Sequence, residues 1–466
     1  MTYFRTKRGK KRLENTPHVR DLVDFFIESE LHEHGAYLVD SLIESNPMMK
    51  DWECMTDLLL EEPGPREEPL NDRQEASLIE IMVCCIKQAA SGEPPVGRGP
   101  TRKVMSAKEL KQVQDDKQAL TAHFIQTLPP LLKKYLPDHE KIANLMVIPQ
   151  HFDLEIYTTS RQEKNLETLL GLIQEIVDKH GDTEVLNACA KTLEILCDDK
   201  FAIFSRCDIA RSRLLDMITN KYKEVVDDYS NLLIGGEEPT EDESFFLKST
   251  LKKVECFYNC HNLSDHNIWQ SLFDLVIKSK EDSAMKIPEE AIKSAICGCF
   301  FGLLWDLNYI QSTIERETTQ NAVDKLKQKL EKYMDAMQGI LTGNSVILKE
   351  EAFVCICDHL ISFSRNVHFK NTILAPLAFQ PTQQLAPYLN EFVQNHVFVE
   401  DEDEEQDDHT KIKELHKRRN FLASFCKLII YNVLPTKTGA DVFKHYVQFY
   451  NHYGEVFFPI EIPPKS

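Results

Sequence analysis

Paired histidines, closely spaced cysteines and clustered cations are the side chains in this sequence whose types and spacing could do chemistry. His32 and His34 flank Glu33. Residues two apart on a helix point away from each other, so this pair cannot grip one metal or relay one proton. No HExxH, no P-loop and no GxGxxG after a strand is present. Serines, histidines and aspartates occur without the strand–turn–helix setting of a nucleophile elbow. The 13 cysteines include Cys84-Cys85, Cys297 with Cys299, and Cys355 with Cys357, all within apolar helical stripes and with no CxxC pair. Such thiols do not converge on one tetrahedral ion. The chain is therefore expected to carry buried free thiols, histidines at helix corners, no catalytic residue, no metal and no cofactor.

The cations are more informative. Lys7, Arg8, Lys10, Lys11 and Arg12 form a compact basic run, and Arg98, Arg102, Lys103, Lys108 and Lys111 cluster with few acids among them. Lys- and Arg-rich loops suit phosphate backbones, where affinity comes from counterion release. Both segments also read as solvated loops, and the first equally as a nuclear-import signal. The whole chain carries a net charge of -20, from 54 basic and 74 acidic residues. That balance argues against indiscriminate nucleic-acid binding over the whole surface. The acids concentrate in Glu400 to Asp408 and in Glu237 to Glu243.

Helices must position whatever these residues do. In 22–42, apolar residues at 22, 23, 26 and 27, and again at 37, 38, 39 and 42, lie at helical spacing around an acidic corner. The hairpin rhythm continues through 208–234, 245–260, 268–280, 288–310, 318–341 and 346–364. Between Asn165 and Lys179, Leu166, Leu169, Leu170, Ile173, Ile176 and Val177 make one clear stripe. Ser106 with Glu109 reads as a capping box, and Pro129-Pro130 as punctuation between helices. With 466 residues, 42% of them hydrophobic, and only 16 glycines, most of the chain can be ordered. No apolar run approaches the ~20 residues that span a bilayer, so a soluble chain with no membrane partner is expected.

The expected fold is all-α, a HEAT-like helical-repeat solenoid of antiparallel hairpins that share a buried pattern without sequence identity. Residues 1–15 read as a basic flexible arm, and 16–399 as the array, with loops at 61–75, 91–105 and 235–244. An acidic disordered insertion at 400–410, further array helices over 411–455 and an unstructured tail at 456–466 complete the layout. Leu415 to Tyr431 reads as a helix opened by His416, Lys417, Arg418 and Arg419. These cations would be neutralised by the acidic run folding back, or would bind phosphate or a partner.

The wording of several segments carries a resemblance. His32-Glu33-His34-Gly35-Ala36-Tyr37, Lys50-Asp51-Trp52-Glu53-Cys54, Pro94-Pro95-Val96-Gly97-Arg98-Gly99, Phe152-Asp153-Leu154-Glu155-Ile156-Tyr157, Asp208-Ile209-Ala210-Arg211-Ser212, Leu415-His416-Lys417-Arg418-Arg419-Asn420 and Phe443-Lys444-His445-Tyr446 stand in one order. Together they resemble the stromalin (SA) subunits of the cohesin complex, colinearly over roughly residues 15 to 455.

The resemblance implies a nuclear, chromosomal scaffold that works by binding, in sister-chromatid cohesion and chromosome segregation. Its partners would be cohesin's kleisin subunit, through that subunit the SMC ATPase heterodimer, and DNA by weak non-specific contacts, with no small-molecule substrate. The family's kleisin-contact block falls on Phe257-Tyr258-Asn259-Cys260-His261-Asn262-Leu263-Ser264. It makes His261, Asn262, Asp265 and Lys349 the candidate kleisin contacts. Asn262 stands where the family has an acidic residue, and Asp265 is placed to supply the missing charge. All four also read as ordinary loop and helix-end polarity. The resemblance favours the DNA reading of Arg98, Arg102, Lys103, Lys108 and Lys111. Against the family, the chain is expected to be shortened at its N-terminus, lacking the stromalin conservative domain and a regulator-binding surface. A helical-repeat nuclear transport adaptor is the rival that the same periodicity permits.

Overall fold

Short-range capping sets where many of the helices begin. Ser106 Oγ accepts from the Glu109 N–H at 3.3 Å while Glu109 Oε2 accepts from the Ser106 N–H at 2.7 Å, the capping box expected there. Asn71 with Gln74 and Thr240 with Glu243 make two more. Each satisfies two backbone donors that a helix start leaves orphaned.

The computed structural model describes residues 5–29, 35–98, 105–281, 287–313, 319–364, 373–399 and 408–461. Among them are nineteen α-helices; the sole extended pairing is an isolated antiparallel bridge between Arg5 and Lys11. None of these helices is long and apolar enough to cross a membrane. The fold is all-α and HEAT-like, as the spacing predicts. The helices form two compact units, divided between Asn220 and Lys221.

The first unit holds α1 (Thr16–Glu28), α2 (Gly35–Leu42), α3 (Trp52–Leu60), α4 (Asp72–Ser91), α5 (Ala107–Lys134), α6 (His139–Leu145), α7 (Ile156–Thr159), α8 (Glu163–Lys179) and α9 (Thr183–Leu196). Helix α10 (Phe204–Gly235) contributes to both units. The stripe from Leu166 to Val177 is buried at every expected position, and Leu172 is buried as well. Helix α8 thus has more than one covered face.

The second unit continues with α11 (Glu241–Cys260), α12 (Trp269–Glu281), α13 (Glu289–Ser312), α14 (Thr319–Leu341), α15 (Val346–Ser362), α16 (Leu385–His396), α17 (Asp408–Ile430), α18 (Gly439–Phe443) and α19 (Tyr446–Glu461). Helix α13 is its hub, packing on α11, α12, α14 and α15. Its buried residues run from Ala291 to Ile310 on several faces, as befits a helix apolar nearly all round.

Four expectations need correction. Pro129 and Pro130 do not separate helices; both lie inside α5, one turn before its end, with Pro129 buried beside Leu128 and Leu131. That packing offsets the two missing N–H donors. The basic segment at the N-terminus is no free arm over residues 5–15, because Arg12 is buried among acids. The helix bearing His416 to Arg419 begins at Asp408, so these cations sit in its third and fourth turns and away from the positive end of its dipole. Finally, α19 carries helix to Glu461, into the tail expected to be unstructured. His32, Glu33, His34 and the acidic residues 400–407 lie outside the described residues.

Candidate interaction surfaces

Helix α11 ends at Cys260, and the eight residues before Trp269 opens α12 make the corner on which the sequence places a partner contact. His261 is buried, its ring stacked on Phe257 at 5.8 Å and its N–H donating to the Phe257 carbonyl at 2.8 Å. Asn262 is exposed, and its Oδ1 accepts from the Ser264 N–H at 2.9 Å. This is an Asx turn, a short-range reason for Asn at that position. Asp265 is exposed; its carbonyl accepts from Asn267 Nδ2 at 3.1 Å, and Asn267 has φ +55°. Asn262 and Asp265 thus stand on one rigid turn, whereas His261 is a packing residue beneath it.

The turn is held from below by groups that sequence reasoning missed. Trp305 Nε1 donates to the Tyr258 carbonyl at 2.7 Å, and Trp269 Nε1 to the Cys299 carbonyl at 3.0 Å. Asp306 joins them: Ser264 Oγ donates to it at 3.3 Å, and Lys329 pairs with it at 2.7 Å. The Lys329 ammonium also lies 5.1 Å above the Trp269 ring, a cation–π geometry. Gly302 makes this packing possible, since a Cβ there would come within 2.6 Å of Trp269 Cδ1 and 2.8 Å of the Tyr258 hydroxyl. Gly298 and Gly302, one turn apart on a helix otherwise rich in large apolar residues, are the local sequence signal at this site.

Lys349 does not join the corner. It lies in the first turn of α15, which Ser345 caps by accepting from the Leu348 N–H at 3.3 Å. Its neighbour Glu351 accepts from Cys297 Sγ at 3.0 Å and pairs with Lys293, whereas the corner meets α13 at Asp306. Nine residues of helix separate Cys297 from Asp306, about 14 Å at 1.5 Å per residue.

The basic residues of the first unit are likewise dispersed. Arg98 is pinned to α2: its guanidinium donates to Ser41 Oγ at 3.0 Å, lies 3.7 Å from Asp40 and stacks over Tyr37 at 5.4 Å. Lys108 and Lys111 are exposed three residues apart on α5. Arg102 and Lys103 lie outside the described residues. In the Lys7–Arg12 run, Lys7 pairs with Glu62 at 2.6 Å and Lys10 with Asp57 at 2.7 Å. The hydrogen bond that Lys10 donates to Asp57 is the main cause that raises the Lys10 pKa. Arg12 reaches Asp57 at 2.8 Å, Glu67 at 3.1 Å and the Glu61 carbonyl at 2.9 Å.

Lys417 is neutralised by Glu350 at 2.7 Å and by Glu414, Arg418 lies 3.5 Å from Glu414, and Arg419 donates to the His452 carbonyl at 2.7 Å. Among the described residues, their partners include Glu350, Glu414 and the carbonyls of Val399 and His452. All cysteines except the half-buried Cys84 and Cys260 are buried. Burial pushes up the thiol of Cys54, to about 11, and that of Cys256, to about 12, which keeps these two protonated and unreactive.

A family model described as the HEAT-repeats domain of the cohesin subunit SCC3/SA matches residues 37–305, more than half of the chain. The chain belongs to the SCC3/SA family. Among its relatives, cohesin subunit SA-1 of Xenopus laevis is 43% identical over 462 residues, 96% of this chain and 36% of that protein. Cohesin subunit SA-3 of Homo sapiens is 39% identical over 441 residues, 93% of this chain and 35% of the relative. Cohesin subunit scc-3 of Caenorhabditis elegans is 32% identical over 448 residues, 95% of this chain and 39% of the relative. The chain thus spans little more than a third of the SCC3/SA proteins it matches. The turn bearing Asn262 and Asp265 falls inside the matched family domain, and Lys349 falls beyond it.

Proposed function

We propose that this chain acts as a cohesin subunit that holds the kleisin, and through it the SMC ATPase heterodimer, on chromosomes in the nucleus during sister-chromatid cohesion and segregation. The observation that carries the reading is similarity along 96% of the chain to a protein named cohesin subunit SA-1. The two helical units work by binding, not by turnover. The kleisin is read as an extended segment that meets the Asn262–Asp265 turn at one place and the Lys349 end of α15 at another. Several spaced contacts suit an extended partner, because each contributes without requiring the others. DNA is read as a weak secondary partner, met without sequence preference by Lys108, Lys111 and the adjoining Arg98–Lys103 loop.

Capture of the purified chain on the immobilised middle segment of the kleisin tests this function. Retention that survives moderate salt is expected. Failure to bind the kleisin, together with retention on a GTP-loaded small GTPase of the nuclear-transport class, would replace the proposal with a transport-adaptor role.

A further inference from the structure

In the first unit, α8 and α10 frame a surface groove of about 350 Å³. Each helix gives it one stripe at the i, i+3, i+4, i+7 spacing of a single helical face. Glu167, Leu170, Gly171 and Gln174 come from α8, and Arg206, Ile209, Ala210 and Arg213 from α10. One end is closed by the Arg206–Glu167 ion pair at 2.5 Å. At the other end Arg213 is exposed and, among the described residues, has no ion-pair partner. Between them Ile209 leaves 55% of its surface in solvent.

Gly171 is the unexplained residue. Glycine within a helix costs about 0.5–1 kcal/mol relative to alanine. Here neither a left-handed backbone nor a close neighbour requires it, because a Cβ at Gly171 would meet nothing within 4 Å. Its one structural consequence is an open floor between Leu170 and Ala210.

We infer that this groove docks an acidic peptide segment carrying an aliphatic anchor, the anchor over Gly171 beside Ile209 and a carboxylate on Arg213. Charge chooses the occupant. Glu167 is already neutralised by Arg206, which leaves Arg213 as the uncompensated charge of the groove. Arg213 lies four residues beyond Ile209, about 6 Å along the helix axis. That matches the ~6.6 Å between side chains two apart on one face of an extended peptide. The recognised pattern is therefore aliphatic–any–acidic. This inference is independent of the proposed kleisin contacts, which lie in the second unit.

The test is fluorescence anisotropy with the full chain and a fluorescein-labelled ten-residue peptide. The peptide holds one central leucine and a glutamate two residues away on each side, with serine elsewhere. Saturable binding is expected, weakened at least about tenfold by Gly171→Leu, which fills the floor, and by Arg213→Glu, which reverses the charge. Both sites are exposed, so unchanged thermal unfolding is expected, and Arg213→Glu alone suffices should Gly171→Leu perturb folding. Replacing the glutamates by lysine, or the leucine by serine, should abolish binding. No binding to the parent chain, or equal binding to both variants, overturns the inference.

Discussion

Arg12 presents its Nε to both carboxylate oxygens of Glu67 at 3.1 Å, although 55 residues separate the two. Both side chains are almost fully buried, and Asp57 completes the cluster at 2.8 Å from Nη1. The cluster fastens the N-terminal segment to the loop that follows α3.

Removing the cation would leave buried Asp57 to the half-exposed Lys10 and buried Glu67 to Arg20, each short of its buried partner. Arg12→Ala is expected to destabilise the chain by about 3–5 kcal/mol, the usual consequence of breaking one side of a buried ion pair. Urea unfolding of both proteins measures it. A loss below about 1 kcal/mol would mean that the segment is held by other contacts.

His359 makes a second prediction. Its ring is buried between Phe300, at 4.4 Å and stacked, and Tyr333 and Phe363, with neither nitrogen hydrogen-bonded. Burial lowers its pKa to about 3. The unfolded chain therefore binds more protons than the folded one as pH falls below the ordinary histidine value of about 6.5. The associated stability is present above that value and is lost as pH falls toward the folded pKa. His359→Phe keeps the stacking and removes two unsatisfied nitrogens, so it should raise stability at neutral pH by about 1–3 kcal/mol. It should also flatten the loss between pH 6.5 and 4, as unfolding series at several pH values would reveal.

Gly302 yields a third. Gly302→Ala places a methyl 2.6 Å from Trp269, and overpacking of that kind costs about 1–3 kcal/mol. Because Trp269 lies under Lys329, the substitution should also loosen the turn at 262–265. A lowered Tm together with weaker kleisin binding is expected; a lowered Tm with unchanged binding would separate the turn from the packing beneath it.

The proposed DNA surface makes a fourth. Lys108→Ala combined with Lys111→Ala should reduce the slope of log affinity against log salt by about two, one counterion for each phosphate that a lysine no longer neutralises. Titrations of a short duplex of arbitrary sequence at several salt concentrations give that slope. An unchanged slope would leave both lysines as solvated surface.

What can be read in the sequence is what neighbours three or four residues away decide. The Leu166–Val177 stripe and the Ser106–Glu109 cap are of that kind, and both stand where spacing predicts. Arg12 is not, because its partners lie 45 and 55 residues further on and no local pattern marks them. The cations at 416–419 mislead for a related reason: the helix start depends on Asp408, which local composition assigns to an acidic loop. Part of the candidate corner is legible through the resemblance, in Asn262 and Asp265. Its foundation of Trp305, Asp306 and Lys329 is not, since it comes from helices that approach only in the folded unit. The groove over Gly171 leaves no trace in sequence beyond a glycine in a helical stripe.

The central claim, that this chain holds the kleisin, is tested most directly by calorimetric titration of the full chain with the kleisin's middle segment. Saturable binding is predicted, and Asn262→Asp should tighten it. The Ser264 N–H that now donates to Asn262 Oδ1 at 2.9 Å would be kept by the aspartate, and a charge would be added toward the partner. The gain is about 1–2 kcal/mol, roughly five- to thirtyfold in affinity. Unchanged affinity in the variant would remove Asn262 from the interface, and the absence of any binding by either protein would contradict the claim itself.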